Sequence, residues 1–206
     1  MSLAATLWHD NADLAEAALA HPFVQRLGDG TLPQPVFAGY VAQDAFYLES
    51  FARAYALAVA HSPDRAGFDA FADLLAGVRD ELRLHEGYAA RYDIDLASVE
   101  PLPATLAYTD FLLATAALGS LGQTCAALTP CMRLYAHLGQ SLAAGTPADR
   151  YGDWIRTYAD PGFEELAATL ERLLDTYAVP GDARTAAVYR RAMRLEVGFF
   201  EAAYTS

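Results

Sequence analysis

Apolar residues recur every three to four positions along nearly the whole chain, and no stretch alternates with period two for long enough to make a strand. The pattern predicts a first helix over 3–20, stopped at His21-Pro22 because a residue before proline avoids the α region. Gly28-Asp29-Gly30 reads as a turn, and Pro35 can open a second helix over 35–61. Ser62-Pro63 breaks it, and a third runs over 65–91. A loop over 92–103 leads to a fourth helix, 104–118, ended around Gly119, and a fifth covers 121–144 with Pro130 inside it. Pro147 starts a short sixth reaching Tyr158, Asp160-Pro161-Gly162 turns into a seventh ending at Tyr177, and Val179-Pro180-Gly181 turns into the last, 182–204. With short loops and no repeat or linker, the expectation is an all-α fold: one domain, 1–206, built as a bundle of about seven to eight helices.

One predicted face breaks the apolar rule. Tyr40, Asp44, Tyr47, Phe51 and Tyr55 are spaced four, three, four and four apart and so share a side of the second helix. Phe37, Val41, Leu48 and Val59 extend that side, so it should point at a core. A carboxylate there loses its hydration and needs a partner, which could be a tyrosine hydroxyl, a ligand or a thiol. A structural Asp–Tyr hydrogen bond would satisfy it as well as a functional contact would.

Composition narrows the classes. The 206 residues are 54% hydrophobic, enough for a sizeable core, and no window approaches a membrane span because charged or amide residues keep interrupting. The first ten residues lack the basic-then-apolar order of a secretory signal, so a cytoplasmic location is expected. The 14 basic residues are all arginine, set against 26 acidic ones for a net charge of −12. Such a chain repels phosphate backbones, and without lysine it has neither Schiff-base chemistry nor a Walker-type phosphate loop. The two cysteines, Cys125 and Cys131, would lie roughly 9 Å apart and about 120° round one helix, beyond disulfide reach, so both should be free thiols.

Cys131 follows Pro130 directly. Either the proline interrupts a continuous helix, clashing with the carbonyl of Ala126, or Thr129 caps a fresh helix that would place the sulfur near an N-terminus and favour thiolate. A cysteine on an apolar helix is otherwise a small buried hydrophobe, the reading left to Cys125. Glu196, among Leu195, Phe199 and Phe200, is a second odd carboxylate that could exchange protons if desolvation raises its pKa; a tilted, half-exposed glutamate is the plainer alternative. Glu81 and His85 stand at i, i+4, a spacing that can bind metal, but no second acid–histidine set on the later helices completes a site, so neither metal nor cofactor is expected.

Taken together these segments resemble the TenA/thiaminase II family of the haem-oxygenase-like all-α fold, in its cysteine-containing branch. The matches run in order over almost the whole chain: His21-Pro22-Phe23, Leu32 through Phe37 and Tyr40, Gln43-Asp44-x-x-Tyr47-Leu48, Glu81-x-x-x-His85, Tyr108-Thr109, Pro130-Cys131-x-x-x-Tyr135, Trp154-Ile155-x-Thr157-Tyr158 and Glu196-x-x-Phe199-Phe200. The resemblance implies hydrolysis of aminopyrimidine products of thiamin, with slower cleavage of thiamin itself. It implies Cys131 as the nucleophile adding to the ring, Glu196 as general acid/base, and Asp44 binding the amidine edge and holding the cysteine. Tyr47, Tyr108, Tyr135, Tyr158 and Phe199 would line the pocket. The family is commonly tetrameric, which implies a homotetramer binding a small pyrimidine, with no nucleic-acid or membrane partner. Two positions depart from the pattern: Arg133 stands where a bulky aromatic is usual and Phe200 replaces a common tryptophan, both concerning packing or a subunit contact. Two other readings compete. A cofactorless oxidase resembling pyrroloquinoline quinone synthase would want inward histidines and arginines, which this core is expected to lack, and a non-enzymatic regulator acting on DNA would want a basic face.

Overall fold

The computed structural model describes residues 1–145 and 148–206. Ten α-helices carry the fold among these residues: α1 Leu3–Asp10, α2 Ala12–Leu19, α3 Pro22–Gly28, α4 Gln34–His61, α5 Arg65–Tyr92, α6 Pro103–Leu118, α7 Leu121–Ala143, α8 Gly152–Ala159, α9 Pro161–Tyr177 and α10 Ala183–Thr205. Short 3₁₀ turns lie at Leu96–Ser98 and Asp149–Tyr151. Most boundaries follow from capping chemistry. Ser120 and Gln123 form a reciprocal capping box at the start of α7, Asp160 accepts from Gly162 N at the start of α9, and Asp182 accepts from Arg184 N and Thr185 N before α10.

The extra helices relative to the expected seven or eight arise near the N-terminus. The helix expected over 3–20 is split at Asn11, whose buried side-chain amide donates to the Leu7 carbonyl at 2.7 Å and competes with the backbone ladder. Pro22 does more than stop a helix: as the first residue of α3 it starts a new one, with the His21 ring accepting from Phe23 N at 3.1 Å. The expected start of the sixth helix at Pro147 lies outside the described residues; α8 itself begins at Gly152.

Two long helices form the centre. The inward face of α4 carries the predicted stripe, with Tyr40, Asp44, Tyr47, Phe51 and Tyr55 all buried. α7 is buried on nearly every side between α6, α8, α9 and α10. It runs unbroken through Pro130, so Thr129 does not cap a new helix; its hydroxyl instead donates to the Cys125 carbonyl at 2.7 Å. Two glycines let main chain approach α7 closely. A Cβ on Gly122 would come within 2.5 Å of Ala178 Cα, and one on Gly139 within 2.5 Å of the Tyr158 carbonyl carbon. The second contact seats α8, and with it Tyr158, against the helix that carries Cys131. Arg133 is an internal tie between helices, paired with Glu164 at 2.8 Å and Glu171 at 2.7 Å on α9. Phe200 fills the space between Phe23, Tyr40 and Tyr135.

Candidate active site

The helix period brings Asp44 inward, and the structure supplies a partner that was not anticipated. His85 on α5 places Nε2 2.7 Å from Asp44 Oδ2, while its Nδ1 lies 3.0 Å from the Glu81 carbonyl. The Tyr40 hydroxyl donates more weakly to the same Oδ2, at 3.3 Å. Asp44 is therefore held chiefly by an imidazole outside the expected set, with the expected tyrosine hydroxyl as a second partner, and its hydrogen bonds among the described residues do not include Cys131. Burial alone would depress the His85 pKa, but the adjoining Asp44 carboxylate, helped by Glu81, outweighs it and holds the imidazole up at about 9. The His85 ring is thus protonated at neutral pH where it faces Asp44, the two side chains being 3% and 5% exposed. The core does contain an inward histidine, contrary to expectation.

Tyr40 extends this pair into a network. Its oxygen accepts from the Tyr135 hydroxyl at 3.1 Å and receives Trp154 Nε1–H at 3.3 Å. Tyr158, edge-on to Tyr135 with centroids 4.8 Å apart, donates to Glu81 Oε1 at 2.6 Å. On the other side, Tyr108 donates to Glu196 Oε1 at 2.6 Å. The rings of Tyr47 and Tyr108 lie 4.7 Å apart, and Phe199 is 5.9 Å from Tyr47 and 6.0 Å from Tyr40. All the residues expected at the site, Asp44, Tyr47, Tyr108, Cys131, Tyr135, Tyr158, Glu196 and Phe199, are buried. Contacts and mutual charge effects link them into one region bounded by α4, α5, α6, α7, α8 and α10.

Electrostatics separates their roles. Burial pushes the Glu196 carboxyl up to about 8, against the Tyr108 hydrogen bond that pulls it down, with the Asp44 charge adding to the rise. Burial likewise lifts Cys131 well above the ordinary thiol range, and the charges of Glu196, Glu81 and Asp44 push the same way. With α7 continuous there is no helix N-terminus at the sulfur to counter this. Cys131 therefore rests as a neutral thiol beside a carboxyl that is largely protonated at neutral pH. Cys125 is also buried and free, with its thiol pushed up to about 12.

The Tyr47 hydroxyl is buried near the Tyr108 hydroxyl and the Cys131 thiol, without a well-formed hydrogen bond among the described residues. Leaving such a group unpaired costs about 1–3 kcal/mol, a cost a bound polar atom would remove. Glu81 and His85 were noticed for their spacing, but their actual attachments to Tyr158 and Asp44 link separate helices and carry no local sequence signal. No cluster of three or more metal-ligating side chains occurs among the described residues. Nor is any helix there long and apolar enough to cross a membrane.

A buried thiol, two acids of raised pKa and walls of tyrosine and phenylalanine, set in an all-α bundle, define a centre suited to proton-coupled chemistry on a small flat ring. The chain belongs to the TENA/THI-4/PQQC family, whose model matches residues 8–206. It is 37% identical to an aminopyrimidine aminohydrolase of Halalkalibacterium halodurans, over 99% of this chain and 96% of that one. It is 33% identical to the protein of that name from Bacillus subtilis, covering 75% of this chain and 67% of the other. Among solved structures, a TenA family transcription regulator from a Silicibacter species superposes with TM-score 0.92 at 30% identity, covering 98% of this chain and 96% of that one. A Shewanella denitrificans domain with a heme oxygenase-like fold superposes with TM-score 0.74 at 17% identity, over 97% of this chain and 91% of that one, a likeness of fold alone.

Proposed function

We propose that this protein is a hydrolase of thiamin salvage that acts on aminomethyl-substituted aminopyrimidines. It replaces the amine by water: R–CH₂–NH₂ + H₂O gives R–CH₂–OH + NH₃. Thiamin would be a slower substrate, with the thiazole as leaving group. The observation that carries this reading is the placement of the Cys131 thiol, Glu196 and the poorly bonded Tyr47 hydroxyl in one buried aromatic enclosure.

Cys131 adds to a ring carbon of the bound pyrimidine. The S–C bond forms as the thiol proton leaves to a neighbouring base, and the ring electrons move onto a ring nitrogen. Ring aromaticity is lost, so those electrons can expel the amine, which departs with the proton of Glu196 and leaves an exocyclic methylene. Water adds to that carbon and gives up a proton to Glu196, and expulsion of the sulfur restores the aromatic ring. The ~8 pKa of Glu196 suits it to both directions of proton transfer near neutrality. Asp44 spends Oδ2 on His85 and Tyr40, which leaves Oδ1 for the amino group of the ring. Tyr47 and Phe199 would face the ring, Tyr108 and Tyr158 hold Glu196 and Glu81, and Tyr135 closes the wall beside Tyr40.

The whole chain acts as one TenA-like domain on this reading, in the cytoplasm and as a homo-oligomer, a tetramer by family resemblance. The reading requires no metal or cofactor. A regulator acting directly on DNA is disfavoured by the −12 net charge. Incubation with 4-amino-5-aminomethyl-2-methylpyrimidine and measurement of ammonia decides the matter: release with formation of the hydroxymethyl product is expected, and no release overturns the proposal.

A further inference from the structure

The enclosure holds two carboxyl groups in parallel arrangements, each receiving a tyrosine hydroxyl at 2.6 Å: Glu196 from Tyr108 and Glu81 from Tyr158. They differ in surroundings. Glu196 is 2% exposed and turned wholly inward. Glu81 forms part of the wall of a cavity of about 480 Å³, open towards solvent, whose apolar sides include Leu74, Val78, Met132 and Phe163. Met132, part of that wall, follows Cys131 in the chain.

Glu196 can protonate the departing nitrogen and recover that proton from the attacking water, so the C–N and C–O steps balance on one carboxyl. Addition of the neutral Cys131 thiol releases a further proton while Glu196 is still protonated, and that proton returns when the sulfur is expelled. A group that touches both the buried cluster and water would perform that exchange.

We propose that Glu81, held by Tyr158, is the proton-relay residue of this site, passing protons between the buried reaction cluster and water in the adjoining cavity. The inference rests on the aminohydrolase reading and adds a positioning residue to it. Charged and titratable neighbours frame Glu81 on every side: His85 and Asp80 on α5, Asp44 and Tyr40 on α4, Cys131 on α7, Tyr158 and Arg156 on α8, and Asp160 where α9 begins. Burial first, then the Asp44 charge, raise Glu81 to about 7, while the Tyr158 bond and His85 pull the other way. Its ionised form is the one that accepts a proton from the cluster, so turnover should rise with pH through that value.

The experiment is the pH profile of kcat for ammonia release by the full-length wild type, Glu81→Gln and Tyr158→Phe. Glutamine keeps the acceptor for Tyr158 but cannot titrate. Its kcat should fall about tenfold or more and lose the rising limb near pH 7, with KM within about twofold of wild type. Tyr158→Phe removes a bond that favours the carboxylate, so its limb should move to higher pH. A purely structural role would move neither limb. Profiles that superimpose on the wild type overturn the relay, and should Glu81→Gln fail to fold, an unmoved limb in Tyr158→Phe overturns it alone. Wild-type protein that releases no ammonia overturns the aminohydrolase reading itself, and the relay with it, an outcome distinct from active enzyme with unmoved limbs.

Discussion

Replacing Glu196 by glutamine should make the protein more stable while disabling it. The carboxyl sits at about 8 in the fold against an ordinary value of 4.5, because burial penalises its charged form. A raised folded-state pKa means the folded chain holds this proton more tightly than the unfolded chain. The stabilisation from that proton is complete below the unfolded pKa and is lost as pH rises towards the folded one. Glutamine carries no such proton, keeps the Tyr108 hydrogen bond and cannot ionise. The margin by which Glu196→Gln exceeds the wild type should therefore grow from about 1 kcal/mol near pH 5 to about 4 kcal/mol near pH 8. For a chain of this length that corresponds to roughly 10 °C in melting temperature at the alkaline end. The assay is a series of urea or thermal melts of both proteins across this range, at equal protein concentration so that any subunit association contributes alike. Taking the difference between the two cancels the contributions of Glu81 and His85. A margin that stays flat with pH would refute the burial argument for Glu196, whatever happened to activity. Turnover in the same variant should drop by about 10²-fold or more, the usual scale for a lost general acid/base.

Cys131→Ser should still bind the pyrimidine but lose hydrolysis by about 10²-fold or more, since a serine hydroxyl is far less acidic; wild-type turnover would exclude thiol addition. Asp44→Asn should cost at least about tenfold in kcat/KM, and it also strips the buried His85 imidazolium of its counter-charge. The variant should therefore be destabilised by about 1–3 kcal/mol in urea melts, with the His85 pKa falling when followed by NMR, whereas an unchanged imidazole titration would contradict the ion pair.

Much of the site was readable because it obeys helical periodicity. Asp44 was visible as a charge within an aromatic stripe, and Glu196 as an acid among phenylalanines, since both anomalies are local to one helix. The Asp44–His85 pair was not readable, because it joins two helices across 41 positions and the spacing of Glu81 and His85 pointed to metal instead. Pro130 left two backbone paths open. The choice is made by packing: α6, α8, α9 and α10 enclose α7 on nearly every side, and a continuous rod fills that space. The division at Asn11 was hidden because its side chain, rather than any helix-breaking residue, disrupts the ladder. The ordered matches to the TenA/thiaminase II pattern conveyed fold and family together, since they span segments that meet only after folding.

Gly122 and Gly139 stand on either side of Cys131 along α7, and at each the main chain of another segment lies where a side chain would otherwise be. The helix bearing the thiol is thus pinned near both ends and cannot slide along its axis to suit a different ligand. Divergence towards larger or smaller rings must then proceed by exchanging side chains on α4, α5 and α10, while the sulfur keeps its station. The two glycines set the coordinate origin from which substrate range can be re-tailored.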